Sequence, residues 1–466
     1  MRWWRRYWMA VAALRWMAVA ALLCLAVWGL TDVRWRGQFR ADAPELHRTD
    51  FTVYTNAADV LLSGGDPYAV PGPRGWYYLY PPLFALLVSP LRHFDTQWQV
   101  VIWFAINVAL AYGCLAEGRR LGVRLWKNCS GLGRVAEQPP AWVGIVAFLA
   151  VLLPLLDCLQ RGQVGALILL ALMVGLRLTL TTGNALQVGV GGALLALPVA
   201  IKVTPALPVL LYTVLLIAGR PRWQSAAALG GLFAGSTLFW FGIPGAVLGW
   251  NENLRLLARW RDTVAESETL VADRGINPLA LSNQSLEVAL FRVGEIAQHG
   301  FPPPLRAEQA GPAGVRLTPF PPRSAADWRA PISTVRIGLL VLLLAAAVCL
   351  GRAANFSGLA AAFGLGCAAS LLISPISWGH HFVLLFPAGL LVPAWWLLRG
   401  WRRLAKLCSA TLAALVLVHY IWMPLAGPWS VLGLGLTAWF VIVCVALVWA
   451  ARRRHSTSTT RSASTA

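Results

Sequence analysis

The chain alternates between long apolar blocks and shorter polar segments that carry most of its charge. Many blocks run for about 18 residues or more, which is long enough for a helix to cross a bilayer. Backbone groups facing lipid must be hydrogen-bonded within their own segment, so we expect helices rather than open strands. A β-barrel would alternate with period two, and these blocks do not. The pattern therefore predicts an all-α integral membrane protein.

The blocks predict about twelve transmembrane helices. The first follows a basic stretch, as in a signal peptide, but it is longer and lacks a convincing cleavage site, so we expect an uncleaved span. The predicted spans are roughly 9–30, 97–117, 141–158, 163–180, 185–201, 203–219, 224–242, 333–351, 356–374, 381–398, 405–424 and 429–451.

Composition agrees with this class, since 58% of the residues are hydrophobic and only 12% are charged. The net charge of +20 would suit a nucleic-acid binder, but the arginines mostly flank apolar blocks. Arginines in these positions mark the loops that face the cytoplasm. We therefore expect no nucleic-acid partner. The eight cysteines lie mostly inside apolar blocks without paired spacing, which predicts neither a disulfide framework nor a metal site.

With twelve spans, every basic cluster falls on the cytoplasmic side, and two long acidic segments, about 31–96 and 243–332, fall outside. Residues 1–451 are expected to form one membrane domain. The Ser/Thr-rich tail, 452–466, is predicted to be a disordered cytoplasmic segment. The Pro-rich stretch 302–331 predicts an irregular loop.

The first outer segment predicts a short amphipathic helix from Phe51 to Leu62, lying in the membrane interface. A second interfacial or re-entrant helix is predicted from Pro81 to Leu91, started by two prolines. On the first helix the predicted apolar face consists of Phe51, Tyr54, Ala57, Ala58 and Leu61, and the predicted polar face of Thr52, Thr55, Asn56 and Asp59.

Asp50 is the strongest candidate for a catalytic residue. Thr49 or Asp50 suits the N-cap of the first interfacial helix, which is the structural interpretation of this carboxylate. The functional interpretation is a general base held at the membrane surface. Asp66 follows two glycines and precedes a proline, a pattern typical of a turn.

Cations and amides also gather at the predicted outer ends of spans. Lys202 lies between two apolar blocks, where a charge is costly unless it is paired or hydrated. It could snorkel to the interface or meet a phosphate. Arg161 is placed similarly, at the outer start of the fourth span, and Gln163 adds an amide donor.

A histidine pair, His380 and His381, opens the tenth span. Two adjacent histidines without a third ligand make a weak metal site, so phosphate contact or proton transfer is favoured. Trp378 suits an interfacial belt or a surface that stacks on a sugar. Asn283 and Gln284 could cap a short helix or bind substrate.

All these candidates map to one membrane face and combine a carboxylate with cations and amides. Breaking a sugar–phosphate bond while deprotonating an acceptor hydroxyl requires such groups. A lipid-linked phosphate would explain why cations stand at the rim of the bilayer. A lipid-linked-sugar transporter or flippase would also explain the spans, but it predicts dispersed charges and inverted repeats. A scaffold protein would leave the cations unexplained.

Six stretches, in order and spacing, resemble the polyprenol-phosphate-mannose-dependent mannosyltransferases of glycosyltransferase family 87, in the GT-C superfamily. They extend from about Asp50 to Leu385 and read DFTVYTNAADVLLSGGDPY, YLYPPLFALLVSPL, RGQVGALILL, AIKVTPALPVLL, SNQSL and SPISWGHHFVLL. The resemblance implies a GT-C fold and an active site that faces the periplasm or exterior of the inner membrane.

The resemblance further implies transfer of a hexose, mannose in that family, from a polyprenyl phosphate to a glycolipid or glycan, with inversion. Asp50 matches the family's acidic base. The residues expected to contact substrate are Lys202, His380, His381, Arg161, Gln163, Asn283, Gln284, Trp378, Tyr54 and Tyr80. Because cations could replace a metal, we expect a metal-independent enzyme.

Overall fold

The protein is described here by a computed structural model. The described residues are 16, 19–38, 49–72, 76–129, 139–180, 184–270, 283–299, 306–310, 314–318, 329–351, 356–423 and 429–463.

Helices make up nearly all of the described structure. They are α1 (19–36), α2 (Phe51–Leu62), α3 (Pro82–Val88), α4 (Thr96–Cys129), α5 (Ala141–Arg161), α6 (Gly165–Thr179), α7 (Ala185–Ile201), α8 (Ala206–Gly219), α9 (Arg222–Leu248), α10 (Trp250–Leu270), α11 (Leu286–His299), α12 (Arg329–Gly351), α13 (Phe356–Ile373), α14 (Gly379–Leu398), α15 (Arg402–Ile421) and α16 (Val431–Ala463). Helix α14 begins with a 3₁₀ segment, Gly379–Leu384.

Within the described residues, eight helices are long and apolar enough to cross a membrane, and three shorter apolar helices, α6 to α8, accompany them. Each coincides with a predicted span, which confirms the all-α membrane class. The predicted span 9–30 is described only in part, and its second half forms α1.

The three short helices are the ones that meet the candidate site. Helices α6, α7 and α8 have 15, 17 and 14 residues. At about 1.5 Å per residue, each covers roughly 20–26 Å, less than the roughly 30 Å of the hydrocarbon layer. Residues at their ends, among them Gly165, Lys202 and Pro205, line the cleft described below.

Helices α13 and α14 form the core. In their apolar 18-residue stretches, 89% and 83% of the residues are buried. Helix α13 packs against α8, α12 and α14, and α14 also packs against α5 and α15. Alanine and glycine dominate α13, so neighbouring backbones approach closely. This small-residue packing is how helices associate where lipid supplies no hydrophobic driving force between them.

The outer segments differ from expectation in two places. Half of the predicted polar face of α2 is buried, because Thr52 and Thr55 are 3% and 4% exposed, whereas Asp59 near the end of the helix is exposed. The two hydroxyls donate to the carbonyls of Thr49 and Thr52, which satisfies them inside the protein. The first two turns of the helix are therefore embedded in the protein.

The second difference is the Pro-rich stretch predicted to be an irregular loop. It contains an antiparallel pair, β1 (Arg306–Ala310) and β2 (Gly314–Thr318), in register from Arg306 opposite Thr318 to Ala310 opposite Gly314.

The C-terminal helix also extends beyond its predicted span. Helix α16 runs to Ala463, past position 452, where composition predicts a disordered tail. A helix already nucleated by an apolar span adds residues at low cost, so weak helix formers can continue it.

Close packing of α7 against α9 depends on glycine. A methyl group on Gly231 would lie 1.8 Å from the carbonyl oxygen of Gly189, and one on Gly192 would lie 2.1 Å from that of Ala228. Neither neighbour is a flexible side chain, so the helices would have to separate.

We therefore expect Gly231→Ala to lower the free energy of unfolding by about 1–3 kcal/mol, as overpacking does in protein cores. The measurement is the melting temperature of the purified protein in detergent.

The matched control is Gly230→Ala, because nothing lies within 4 Å of its added methyl group. We expect that change to be neutral or slightly stabilising, by less than about 1 kcal/mol. Equal melting temperatures for the two variants would contradict the packing.

Candidate active site

The site is organised by the tight turn that joins α5 to α6, with the sequence Arg161-Gly162-Gln163. Gly162 has φ +70°, which ends α5 in a left-handed conformation. A side chain there would lie 2.8 Å from Cβ of Phe51. Both the backbone angle and the close approach of α2 therefore require glycine.

The turn anchors the start of α2 through its carbonyl groups. The Asp50 backbone N–H and the Thr49 hydroxyl donate to the carbonyl of Arg161, at 2.9 Å and 3.0 Å. The Trp103 indole of α4 donates to the carbonyl of Gly162 at 2.8 Å. These bonds fix Asp50 against the end of α5.

Asp50 occupies the N-cap position of α2, as predicted, but its side chain does not cap the helix. Its carboxylate is 4% exposed and accepts a hydrogen bond from Nε2 of Gln163 at 2.6 Å. A buried carboxylate directed away from the helix it begins is costly unless another role retains it. The geometry thus favours the functional interpretation over a simple cap.

Two tyrosines orient the Gln163 amide. Its Oε1 accepts from the hydroxyl of Tyr54 at 3.1 Å and from that of Tyr80 at 3.5 Å, and the two hydroxyls are 3.1 Å apart. Burial raises the pKa of both phenols, so they stay protonated and can donate. The amide nitrogen must then face Asp50.

This arrangement adds a role to three predicted site residues. Gln163, Tyr54 and Tyr80 are joined by hydrogen bonds with one another and with Asp50, so they support the carboxylate. Their predicted contact with substrate stays a prediction. The support arises because α2 packs against the α5–α6 turn, where it brings Tyr54 to the amide.

Lys202 stands in the short connection between α7 and α8 and is half-buried. Its Nζ lies 2.6 Å from Nε2 of His381 and 5.5 Å from the centre of the Tyr80 ring. Burial lowers the pKa of Lys202 to about 8. The side chain thus turns inward to a histidine and does not extend along the surface, as snorkelling would require.

The two histidines lie in the 3₁₀ segment at the start of α14 and point to different partners. His381 meets Lys202, whereas Nδ1 of His380 lies 3.8 Å from Oδ2 of Asp157. Their rings are perpendicular, with centroids 4.5 Å apart. The other ring nitrogen of His381, Nδ1, accepts from the backbone N–H of Trp378 at 3.3 Å, so the roles of Nζ and Nε2 in their contact depend on the tautomer of His381.

Arg161 is the last residue of α5, rather than the first of the next span as predicted. Its Nε donates to Oδ1 of Asp157 at 2.7 Å, one helical turn earlier. Asp157 therefore pairs with Arg161 through one oxygen and faces His380 with the other. Sequence reasoning missed it, although a carboxylate inside an apolar block and four residues before an arginine is a detectable signal.

Asn283, Gln284 and Trp378 hold the loop that precedes the histidines. Asn283 and Gln284 are fully buried. Asn283 accepts from the backbone N–H of Ser377 at 2.9 Å and pairs with Trp378 as an isolated β-bridge. The N–H of Gln284 donates to the Ser377 carbonyl at 2.9 Å. In this structure the two amides position the loop and do not face the cleft.

Lys202, Gln163 and both histidines line a narrow cleft of about 350 Å³. The rest of its wall is Val164, Gly165, Ile168, Thr204, Pro205, Val383 and Leu384. A larger cavity, about 1110 Å³, lies between α15 and α16, but no charged side chain lines it. The smaller cleft is therefore the one equipped for chemistry.

Within the described ranges, no group of three or more His, Cys, Asp or Glu side chains is arranged to hold a metal ion. Metal independence stays a prediction. The groups that are present are a buried, oriented carboxylate, a lysine, two histidines and an arginine–aspartate pair. Such a set can accept a proton from one reactant and stabilise negative charge on another.

Fold and site together define a multi-pass membrane protein with acid–base and anion-stabilising groups at one end of its helices. Residues 78–375 match the family profile "Glycosyltransferase family 87", and the chain belongs to that family.

Three curated relatives are similar at low identity. The first is "Polyprenol-phosphate-mannose-dependent alpha-(1-2)-phosphatidylinositol pentamannoside mannosyltransferase" of Mycobacterium tuberculosis, 28% identical over 66% of this chain and 57% of that protein. A second protein of that species, "Polyprenol-phosphate-mannose-dependent alpha-(1-2)-phosphatidylinositol mannoside mannosyltransferase", is 26% identical over 81% of this chain and 77% of its own length.

A relative from Mycolicibacterium smegmatis carries the same name as the first and is 25% identical over 75% of this chain and 69% of its own length. The chain thus spans little more than half the length of the first relative. No solved structure matches this protein, so its place in the GT-C superfamily stays a prediction.

The Gln163 contact predicts a pH-dependent loss of stability in Gln163→Glu. Two buried carboxyl groups would then share one site, and the folded protein would retain a proton on the pair to higher pH than the unfolded chain does. Stability is therefore kept at low pH and lost as the pH rises. We expect melting temperatures near those of an uncharged variant at pH 5 and a loss on the order of 1–3 kcal/mol at pH 8.

The control is Gln163→Met, which removes the hydrogen bonds without adding charge and should destabilise equally at both pH values. Parallel pH dependence of the two variants would show that position 163 does not face Asp50.

Proposed function

We propose that this protein transfers a hexose, mannose by similarity to its relatives, from a polyprenyl-phosphate sugar to a glycolipid or glycan acceptor, with inversion at the anomeric carbon. The observation that carries this proposal is the buried Asp50 carboxylate, oriented by Gln163 beside a cleft lined by Lys202, His380 and His381. The carboxylate is thus hydrogen-bonded to a residue that lines the same cleft as the lysine and the histidines.

In this mechanism Asp50 is the general base. As the acceptor hydroxyl attacks the anomeric carbon, its proton passes to the carboxylate, and the new glycosidic bond forms on the face opposite the departing phosphate. Gln163 keeps one carboxylate oxygen fixed while burial keeps competing water away. A base held in position lowers the entropic cost of bringing the catalytic group and the reactant together.

The leaving group is a lipid phosphate that gains negative charge as the sugar departs. Lys202 and the histidines lie where that charge would develop, in a partly buried cleft where electrostatic interactions are stronger than in water. Their fixed positions need little rearrangement during the reaction. These cations are the basis for proposing that no metal is required.

Substrate assignment rests on the relatives, whose names specify polyprenol-phosphate-mannose as donor and phosphatidylinositol mannosides as acceptors. The recessed position of the cleft between short helices suits a phosphate attached to a membrane-embedded chain. The basic loops support a cytoplasmic location for the opposite face. We therefore propose an inner-membrane enzyme whose site faces the periplasm or exterior.

The test is transfer of radiolabelled mannose from a polyprenyl phosphate to phosphatidylinositol mannosides by the purified full-length protein in lipid nanodiscs. We expect turnover that EDTA does not reduce. Asp50→Asn should lower turnover by about 10²- to 10⁴-fold, since general-base help is worth that much. Product from a nucleotide sugar alone, without prenyl phosphate, would overturn the donor assignment.

The matched control is Asp59→Asn on the same helix, where the carboxylate is more than half exposed and pairs with Arg92 at 3.6 Å. That variant should keep wild-type turnover. If Asp50→Asn also keeps it, Asp50 is not the base.

The lowered pKa of Lys202 predicts an alkaline limit to activity. Only the protonated lysine can stabilise a phosphate, so kcat/KM for the donor should fall as the pH rises past about 8. Lys202→Arg keeps its charge across this range and should extend activity to higher pH, even if its maximum rate is lower.

The measurement is kcat/KM for the donor between pH 6 and pH 10, on the order of the range in which these groups titrate. If kcat/KM declines at the same alkaline pH in the wild type and in Lys202→Arg, Lys202 does not set the alkaline limit.

A further inference from the structure

Near the cleft the described structure holds a half-buried carboxylate that the proposed mechanism does not use. Asp157 lies in the last turn and a half of α5, in a block that is otherwise apolar until Gln160 and Arg161. Ionised groups in such segments are expensive and are retained where they act. A purely structural contact there could be made by an apolar side chain at lower cost.

The two oxygens of Asp157 have different partners. Oδ1 accepts from Nε of Arg161 at 2.7 Å, and Oδ2 lies 3.8 Å from Nδ1 of His380. Arg161 thereby fixes the carboxylate, and the carboxylate faces one side of the imidazole. Since Nδ1 of His380 is directed to Asp157, the opposite nitrogen, Nε2, is directed away from it, and His380 also lines the cleft.

Packing around Gly379 holds this arrangement closed on the side away from the cleft. A methyl group on Gly379 would lie 2.6 Å from the hydroxyl of Tyr420 and 3.4 Å from Oδ2 of Asp157. The Tyr420 hydroxyl, at the end of α15, is buried without a hydrogen-bond partner. Asp157 is half-buried beside His380, and it is not among the residues that line the cleft.

The charged groups that surround His380 in the described structure come from three elements. Asp157 and Arg161 face it from α5, and Lys202 faces it from the α7–α8 connection, with His381 beside it and Tyr420 behind it. Among them Asp157 supplies negative charge, and the lysine and arginine supply positive charge. Burial, Arg161 and Lys202 disfavour a second proton on His380, and the Asp157 carboxylate is the group that favours it.

We propose that Asp157 is a positioning residue that holds His380 as proton donor to the leaving phosphate. The inference rests on the proposed function. As the bond between the anomeric carbon and the phosphate oxygen breaks, the electron pair stays on that oxygen. In this step His380 is the imidazolium, with one proton on Nδ1 towards Asp157 and the other on Nε2, and the Nε2 proton moves to the phosphate while Asp50 takes the proton of the acceptor hydroxyl. Afterwards Asp50 releases a proton to solvent and His380 regains one.

A double-mutant cycle tests the link between Asp157 and His380. Asp157→Asn and His380→Gln should each lower kcat, the first by on the order of 10²-fold with little change in donor KM. In the His380→Gln background, Asp157→Asn should cost less than threefold more, because the residue through which it acts is gone. If the two substitutions instead lower kcat by factors that multiply in the double variant, the inference is overturned.

Leaving-group basicity separates proton donation from a structural role. A donor whose phosphate carries a non-bridging sulfur leaves as a weaker base and needs less protonation. We expect Asp157→Asn to lose at least fivefold less activity with this donor than with the ordinary one, by the Brønsted behaviour of acid catalysis. An equal loss of activity with both donors would show that Asp157 has only a structural role.

The matched control is Asp32→Asn. Asp32 also meets the last turn of α5, where it accepts from Nε2 of Gln160 at 2.8 Å, but it does not contact His380. This variant should respond equally to both donors. If the wild type fails to use a polyprenyl-phosphate sugar, the proposed function fails. If the wild type turns over and Asp157→Asn behaves as Asp32→Asn does, this inference alone fails.

Discussion

The candidate site depends on one backbone constraint, the left-handed turn at Gly162. Because φ there is +70°, α5 ends abruptly and the carbonyls of Arg161 and Gly162 turn towards neighbouring segments. Those carbonyls accept hydrogen bonds from Asp50, Thr49 and Trp103. One residue without a side chain thus lets three distant segments of the chain meet, and it sets the position of the carboxylate on which the proposed reaction relies.

Electrostatics then determines which groups can be buried around that turn. In a medium of low dielectric constant an isolated charge is far more costly than in water, so each ionised group needs a compensating partner. Asp157 is compensated by Arg161 and His380, and Lys202 contacts a histidine and the face of Tyr80. Asp50 accepts a hydrogen bond from the Gln163 amide, and the Arg161 guanidinium also acts on it electrostatically.

Much of the architecture was predictable because its causes are local. Runs of apolar residues fix where helices cross, and flanking arginines fix their direction, so the spans could be placed before any tertiary contact was known. The side-chain partnerships were not predictable. Gln163 and Asp50 are 113 residues apart in sequence, and Lys202 and His381 are 179 apart. Whether Gln163 binds substrate or holds Asp50 depends on where α2 docks, and the buried threonines of that helix show that its polar pattern did not reveal the docking face.

The short helices explain why such a cluster can exist in a membrane at all. A full-length span would carry its end to the aqueous boundary, where water would hydrate Lys202 and weaken its effect on a phosphate. Helices α7 and α8 are too short for that and meet at Lys202, so the lysine is half-buried and its pKa falls to about 8. Desolvation that destabilises a lone cation also strengthens its attraction to an anion that replaces the lost water. An empty cleft of this kind therefore favours a ligand that brings a negative charge and an apolar chain together, and a lipid phosphate combines both.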